Sequence, residues 1–517
     1  MRGFFIAGCV ALLATLGAAD AHALDAEVTS DTDAQFYDVR SPTGLNVLQR
    51  DRLTTTLGVG VYNMLPSPMG DPSAPDLSFR ARVRYDADYG APSAVSDPTN
   101  RSFFVPGFSP GLVDLMYAYI EGRRFLKGML GFKLGRQYVT DVLGWWAFDG
   151  GEATLTTPFH FKVEAYGGLE ERGGFPLSTS RFESDGIWRG DRTNVDSQLY
   201  PSFQPAAIAP AYGVALESAG FTWLHGRLTY RRVYDTGASN VTEFASGYYA
   251  PAVYSGTRIS SERLGYAVDG TFANLGGVKA GVVYDFYRAE VTSLYGSLDA
   301  YLGKKVTVSA DYDYFVPSFD GDSIWNFFAG EPMNDIGLRA NVDVDPHLSI
   351  AGSAQVRAFE VQTALFNPFS GTSNPGTYSA YPNGTPAPGA PANEVFPTNG
   401  HPFDEIGNVS ARWRDGETLL LLRGSGSWGE EGDRVGADVS AQRIFETRYI
   451  ASARAGVWQW DDKLQPDRDA TSFSYVLGLG YRFAPRSQAM VEWEHDINSL
   501  VGQRFRLMAK LAFAVGK

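Results

Sequence analysis

Arg80, Arg82 and Arg84 stand at alternate positions, so in an extended strand their three guanidinium groups point the same way. Adjacent like charges on one face do nothing for a fold, whereas their planar forks suit carboxylates and phosphates. A second concentration of reactive types is Glu492-Trp493-Glu494-His495-Asp496, carboxylates beside an imidazole, the ingredients of general acid–base chemistry. Solvated charges at a strand end account for that run more simply. Gly107-Phe108-Ser109-Pro110-Gly111 has the spacing of a nucleophile elbow, but Pro110 has no N–H to offer an oxyanion. Gly424-Ser425-Gly426-Ser427-Trp428-Gly429 matches a phosphate-binding glycine pattern, yet no helix follows to present N–H groups. Asp320-Gly321-Asp322 lacks the rest of a calcium loop and reads as a turn. His160, His225, His347, His401 and His495 show no metal-ligand spacing. The expectation is a protein that is not an enzyme and has no metal and no cofactor.

The elements that hold these residues follow from composition and period. The 517 residues include 57 glycines, 14% are aromatic and only 20% are charged. That balance excludes a disordered chain and a coiled coil. A net charge of −14 argues against a nucleic-acid partner, which calls for basic excess. Residues 1–23 read as a signal peptide: Arg2, an apolar run, then Ala21-His22-Ala23 as the cleavage site. Its removal takes away Cys9, the only cysteine. No later run is long and apolar enough for a transmembrane helix, so a membrane location requires a barrel.

Leu77 to Tyr89 alternates without a break, with Leu77, Phe79, Ala81, Val83, Tyr85, Ala87 and Tyr89 on one face. Thirteen residues at ~3.3 Å span roughly 43 Å, or about 30 Å of height at a ~45° tilt, the hydrocarbon thickness. Similar runs follow through to Phe505–Val515. Tight turns at Gly122-Arg123, Thr157-Pro158, Gly276-Gly277, Gly303-Lys304, Asp345-Pro346, Asp415-Gly416 and Pro485-Arg486 alternate with long loops. The longest are Glu170–Pro210 and the Pro/Gly/Asn-rich Glu360–Asp404. The expected fold is all-β: one closed transmembrane antiparallel up-and-down barrel over residues 24–517, of about 18–22 strands. The hairpin at 36–62 is of uncertain membership, and the expected location is the outer membrane.

If the apolar face meets lipid, the lumen is lined by Arg80, Arg82, Arg84, Arg227, Arg231, Arg263, Arg339, Arg357, Arg412, Arg414, Arg454 and Arg482. Fewer acids share that face, so the wall reads as mildly basic and suited to anions. Pairing of these charges across strands, serving only to keep the lumen wet, is the competing reading.

Leu134-Gly135-Arg136-Gln137, then Trp145-Trp146 and Asp149-Gly150, resembles the strand-and-loop pattern of alginate-export-type outer-membrane channels. That resemblance implies a wide arginine-lined pore for an anionic polysaccharide, with Arg136 lumenal at the outer end of its strand. The expected function is thus a channel for anionic polar solutes, extending to polysaccharide export. Its partners are the bilayer and lipopolysaccharide, an anionic solute or polysaccharide, and periplasmic components of a secretion machine. The alternatives are a general porin, or a non-conducting barrel acting as surface scaffold or enzyme.

Overall fold

In the computed structural model the described residues are 25–65, 73–88, 112–171, 209–218, 220–236, 239–245, 248–254, 257–286, 289–316, 332–359, 403–429, 432–463 and 469–516. The strands are β1 (Asp25–Arg40), β2 (Asn46–Tyr62), β3 (Asp76–Asp88), β4 (Leu112–Phe125), β5 (Leu130–Asp141), β6 (Gly144–Thr156), β7 (Phe161–Glu170) and β8 (Pro210–Ser218). Then come β9 (Leu224–Asp235), β10 (Ser239–Ala245), β11 (Tyr248–Tyr254), β12 (Arg258–Phe272), β13 (Gly276–Asp285), β14 (Glu290–Leu302), β15 (Val306–Phe315) and β16 (Met333–Asp343). The last are β17 (Leu348–Phe359), β18 (Phe403–Asp415), β19 (Thr418–Trp428), β20 (Gly432–Phe445), β21 (Tyr449–Asp462), β22 (Ala470–Ala484), β23 (Ser487–Asn498) and β24 (Gly502–Gly516).

Twenty-two of these strands form one sheet, each antiparallel to its neighbours, and β1 pairs with β24 from Glu27↔Gly516 to Arg40↔Gln503 to close it. Only β10 and β11 stand apart, as a hairpin between β9 and β12. The hairpin at 36–62 thus belongs to the wall: β1 and β2 extend it at both ends and complete the closure. At ~4.8 Å between strands and a ~40° tilt, 22 strands enclose a backbone cylinder roughly 40 Å across, too wide for side chains to fill.

The barrel has a dry outside. Leu298, Leu477, Leu479, Leu338 and Val409 all project outward and are exposed, Leu479 to 71%. An apolar exterior is stable only against lipid, and the β1–β24 pairing leaves the sheet no free end strand. This is an outer-membrane barrel. Asp25 and Gly516 lie at the rim of tight turns, the periplasmic side by the usual arrangement. The strand ends Asp88, Glu170, Phe315 and Phe359 lie at the opposite rim. One longer connection, between β2 and β3, lies on the short-turn side.

The turn expected at Gly122-Arg123 is displaced. β4 continues to Phe125, and the chain reverses at Leu126, Lys127 and Gly128, which hold positive φ. Gly424 and Gly426 lie on β19, as a strand reading requires. The Gly107–Gly111 and Asp320–Asp322 motifs, the signal segment and the loop at 360–402 fall outside the described residues.

Candidate functional site: the lumen and its inward hairpin

Register assigns the faces. In β3, Arg80, Arg82 and Arg84 lie opposite Gly60, Gly58 and Thr56 of β2, on the lumen side. Arg82 Nη2 donates to Thr56 Oγ1 at 2.7 Å and pairs with Asp31; Arg80 lies over the Tyr62 ring, and Arg84 is buried. Most of the other arginines are also lumenal, and most are paired. Arg227 bonds Glu164 at 2.7 Å and Glu217 at 2.8 Å. Arg263 meets Asp285 at 2.9 Å, and Arg357 meets Asp335 at 3.2 Å. Arg454 shares Asp438 with Arg423, a residue the sequence reading missed although it alternates onto the same face. Arg339, Arg412, Arg414 and Arg482 stand apart. They face the lumen within a few residues of the short-turn rim, and among the described residues none has an ion pair.

The acid–histidine run is split by the pleat. Glu492, Glu494 and Asp496 point inward, where Glu492 pairs with Lys510, Glu494 with Arg504 and Arg506, and Asp496 with Arg504. His495 lies on the outer face, stacked on Phe505 at 4.3 Å. Within this run no single face unites imidazole and carboxylate, whereas elsewhere on the lumen face His225 lies 3.1 Å from both Glu217 and Asp269. Among the described residues no group of three or more potential ligands could hold a metal.

One hairpin departs from the wall. The β4–β5 ladder runs from Phe125↔Leu130 to Ala118↔Arg136 and stops, while β5 and β6 remain paired out to Asp141↔Gly144. The tip enters the barrel. Asp141, whose side chain is fully buried, accepts from Arg231 Nη2 of β9 at 3.0 Å. Gly265 of β12 has no room for a side chain because Val142 and Leu143 occupy its place. One hairpin face, with Val139, Trp146 and Phe148, packs on Tyr166, Ala211 and Val233 of the β7–β9 inner wall. Trp146 Nε1 donates to Glu170 at 2.9 Å, and Arg231 lies 5.0 Å over the Trp146 ring. On the other face Tyr138 stacks on Trp145 at 4.1 Å and meets Tyr117 of β4 edge-on at 6.2 Å. A residue on the outward register of β5 thus touches the inward face of β4, which requires the hairpin to sit inside the wall.

Glycine makes the bend. Gly135 has φ +127°, and a Cβ there would collide with the Ala118 carbonyl. Gly150 and Gly168 face each other across β6 and β7, and a Cβ on either would strike the opposite backbone. Absence of side chains lets these backbones approach and fold over. Gly135, Gly150-Gly151 and Gly167-Gly168 on three successive strands are the signal by which sequence could have revealed the bend.

The residues behind the alginate-export resemblance therefore build the hinge and the packed face of this hairpin. Arg136 is not on the lumenal register. It shares the outward one with Leu134 and Leu169 and ties three strands together: bidentate to Asp149 of β6 at 2.7 and 2.8 Å, to Glu171 beyond β7 at 2.9 Å, and to the Leu115 carbonyl of β4 at 3.0 Å.

No family model matches the sequence, and no curated protein does. Among solved structures the chain is similar to Acinetobacter baumannii OccAB4, at 9% identity and TM-score 0.41, covering 95% of this chain and 98% of that one. It is also similar to the outer membrane protein opdK from Pseudomonas aeruginosa, at 8% identity and TM-score 0.39, covering 95% and 99%. A third is Pseudomonas aeruginosa OccD3 (OpdP), at 8% identity and TM-score 0.38, covering 96% and 92%.

Proposed function

We propose that this barrel is a water-filled channel that passes small polar solutes and prefers anions. The observation that carries the reading is the set Arg339, Arg412, Arg414 and Arg482, lumen-facing charges with no acid partner among the described residues. Paired arginines such as Arg227 and Arg263 contribute little net field, so selectivity rests on the unpaired ones. Arg80, Arg82 and Arg84 add positive charge on the opposite side of the β1–β24 seam, partly offset by Asp31.

A general porin for small solutes is the closer description than polysaccharide export. The motif that suggested an exporter serves the hairpin, and a hairpin lodged in the lumen takes space that a polymer needs. The separation of Glu494 from His495 favours transport over an enzymatic role. The bilayer and lipopolysaccharide remain the proposed surroundings.

In a planar bilayer under a KCl gradient, the purified barrel should conduct and its current should reverse on the anion-selective side. Liposome swelling should be faster with gluconate than with a neutral sugar of equal size. Reversal on the cation side, or no conductance, overturns the proposal.

A further inference from the structure

Two tryptophans of β21 face the wrong way for membrane anchors. Trp458 and Trp460 stand in register with Gly436 and Arg434 of β20, on the face that carries Asp438, while Val435, Val439 and Val457 project outward and are exposed. Indoles that anchor a barrel in the interface point at lipid, as Trp428 does at the same height on β19, 44% exposed. The inward pair therefore serves the lumen. Trp458 lies over a gap left by glycine: a Cβ on Gly436 would strike its ring, and Arg434 Cζ sits 4.6 Å from the ring centroid. Trp460 is 39% exposed. Among the described residues neither indole N–H has a hydrogen-bond partner, and Arg434 has no ion pair. Ser425 and Ser427 of β19, Ser472 of β22 and Asp462 share this face. The rim above is closely tied. Gly429 N–H donates to the Gly432 carbonyl at 3.2 Å, and Lys463 Nζ donates to the Gly429 carbonyl at 2.8 Å and to Asp433 at 2.7 Å.

We propose that Trp458, Trp460 and Arg434 form a subsite that binds the ring of a neutral pyranose sugar just inside the outer rim. Flat aromatic surface beside hydroxyls and charges of both signs suits neither a simple ion nor an oily molecule. A sugar ring has the matching make-up, with C–H bonds across its face and hydroxyls around its edge. The indoles take the C–H face, an apolar body with a polar N–H at its margin. Arg434 donates through its planar fork to neighbouring hydroxyl oxygens, and Ser425 and Ser427 both donate and accept. A few placed polar groups around an aromatic surface are what orients a small ligand. The subsite lies at the opposite end of the bore from Arg412 and Arg414, so it and the ion preference stand or fall separately.

The test is ligand-observed saturation-transfer NMR on the full barrel in deuterated detergent, with maltotriose and cellotriose as probes at millimolar concentration. Saturation should pass from the protein to the ring C–H protons of at least one of the two. Trp460→Ala should weaken that sugar's affinity by about tenfold, the scale of one lost aromatic contact. Arg434→Gln should weaken it by a similar factor through lost charge-assisted hydrogen bonds. Trp428→Ala, which removes the outward indole at the same height, should leave the affinity unchanged. Heat-modifiable mobility on unboiled gels shows that each variant has closed its barrel. Absence of saturation transfer to both sugars overturns the proposal. Equal affinity in wild type, Trp460→Ala and Arg434→Gln overturns it too, because binding would then lie elsewhere on the barrel. A loss in Trp428→Ala as large as in Trp460→Ala does the same.

Discussion

Asp141 and Arg231, ninety positions apart, meet inside the barrel with both carboxylate oxygens within 3.1 Å of one guanidinium nitrogen. Neither side chain is more than 8% exposed, and Arg231 also donates to Tyr166 Oη at 3.2 Å. This pair latches the hairpin tip to β9. Removing one partner of a buried pair leaves a stranded charge, typically at a cost of about 3–5 kcal/mol. Arg231→Ala should therefore release the tip, visible as a larger and noisier single-channel conductance. Asp141→Asn should do the same more mildly, since its amide still reaches Arg231 and Tyr166 stays in place. Unchanged conductance in both variants would show that the hairpin is held by its apolar face alone.

The glycine hinge makes a different demand. Gly150→Ala and Gly168→Ala each push a methyl into the backbone opposite, with no flexible side chain to yield. Overpacking of this kind costs about 1–3 kcal/mol. Both variants should assemble less completely, read as a smaller heat-modifiable fraction on unboiled gels and a lower urea midpoint. Gly352→Ala, whose added methyl has only the Asn408 carbonyl at 3.8 Å, is the matched control and should behave as wild type. Equal stability of all three would remove the hinge argument.

These two features mark where sequence reasoning stops. Period-two alternation in Leu77–Tyr89 or Phe473–Phe483 has a local cause, the pleat, so strands, faces and loop classes are readable from residues alone. The closing contact of β1 with β24 is not local: Phe36 meets Leu507 only because twenty other strands set the circumference. Likewise Arg80 and Arg227 read alike as lumenal arginines, yet one lies over a tyrosine ring and the other is clamped by two glutamates. Their partners come from strands whose register no single-strand pattern contains. Arg136 shows the limit most clearly. Its position in the strand is legible, but its face acquires meaning only once β5 is known to leave β4.

The turn between β16 and β17 offers a pH test outside the membrane. Asp345 accepts the backbone N–H groups of His347 at 2.7 Å and Leu348 at 2.9 Å, which holds its carboxyl below the usual carboxylate range. A folded-state value below the unfolded one, about 3.9, gives stabilisation that is present above that pH. It is lost as pH falls through the lowered value. Asp345→Asn keeps an oxygen acceptor without the charge, so its turn should be looser at pH 6. The ratio of wild-type to variant protection of the His347 and Leu348 amides, followed by hydrogen exchange, should fall toward unity in acid. A ratio that stays flat with pH would mean the charge is not what closes the turn.

Selectivity should divide along the line between paired and unpaired arginines. Arg412 and Arg414 lie on the lumen face of β18 near its short turn, and Arg414 is further placed by its carbonyl, 3.0 Å from His347 Nδ1. The double variant Arg412→Gln/Arg414→Gln removes two charges whose loss leaves no buried acid behind. Its reversal potential should move toward the cation side with assembly unaffected. Arg263→Gln is the contrasting case: it removes the guanidinium paired with Asp285, which is 3% exposed, so it should lower stability and shift selectivity in the same direction. Because a paired arginine and its acid cancel at a distance, Arg263→Gln/Asp285→Asn should restore the wild-type reversal potential, whereas Arg412 and Arg414 have no ion-paired acid among the described residues whose removal would do the same. If the β18 double variant kept the wild-type reversal potential, the ion preference would have to originate elsewhere along the bore.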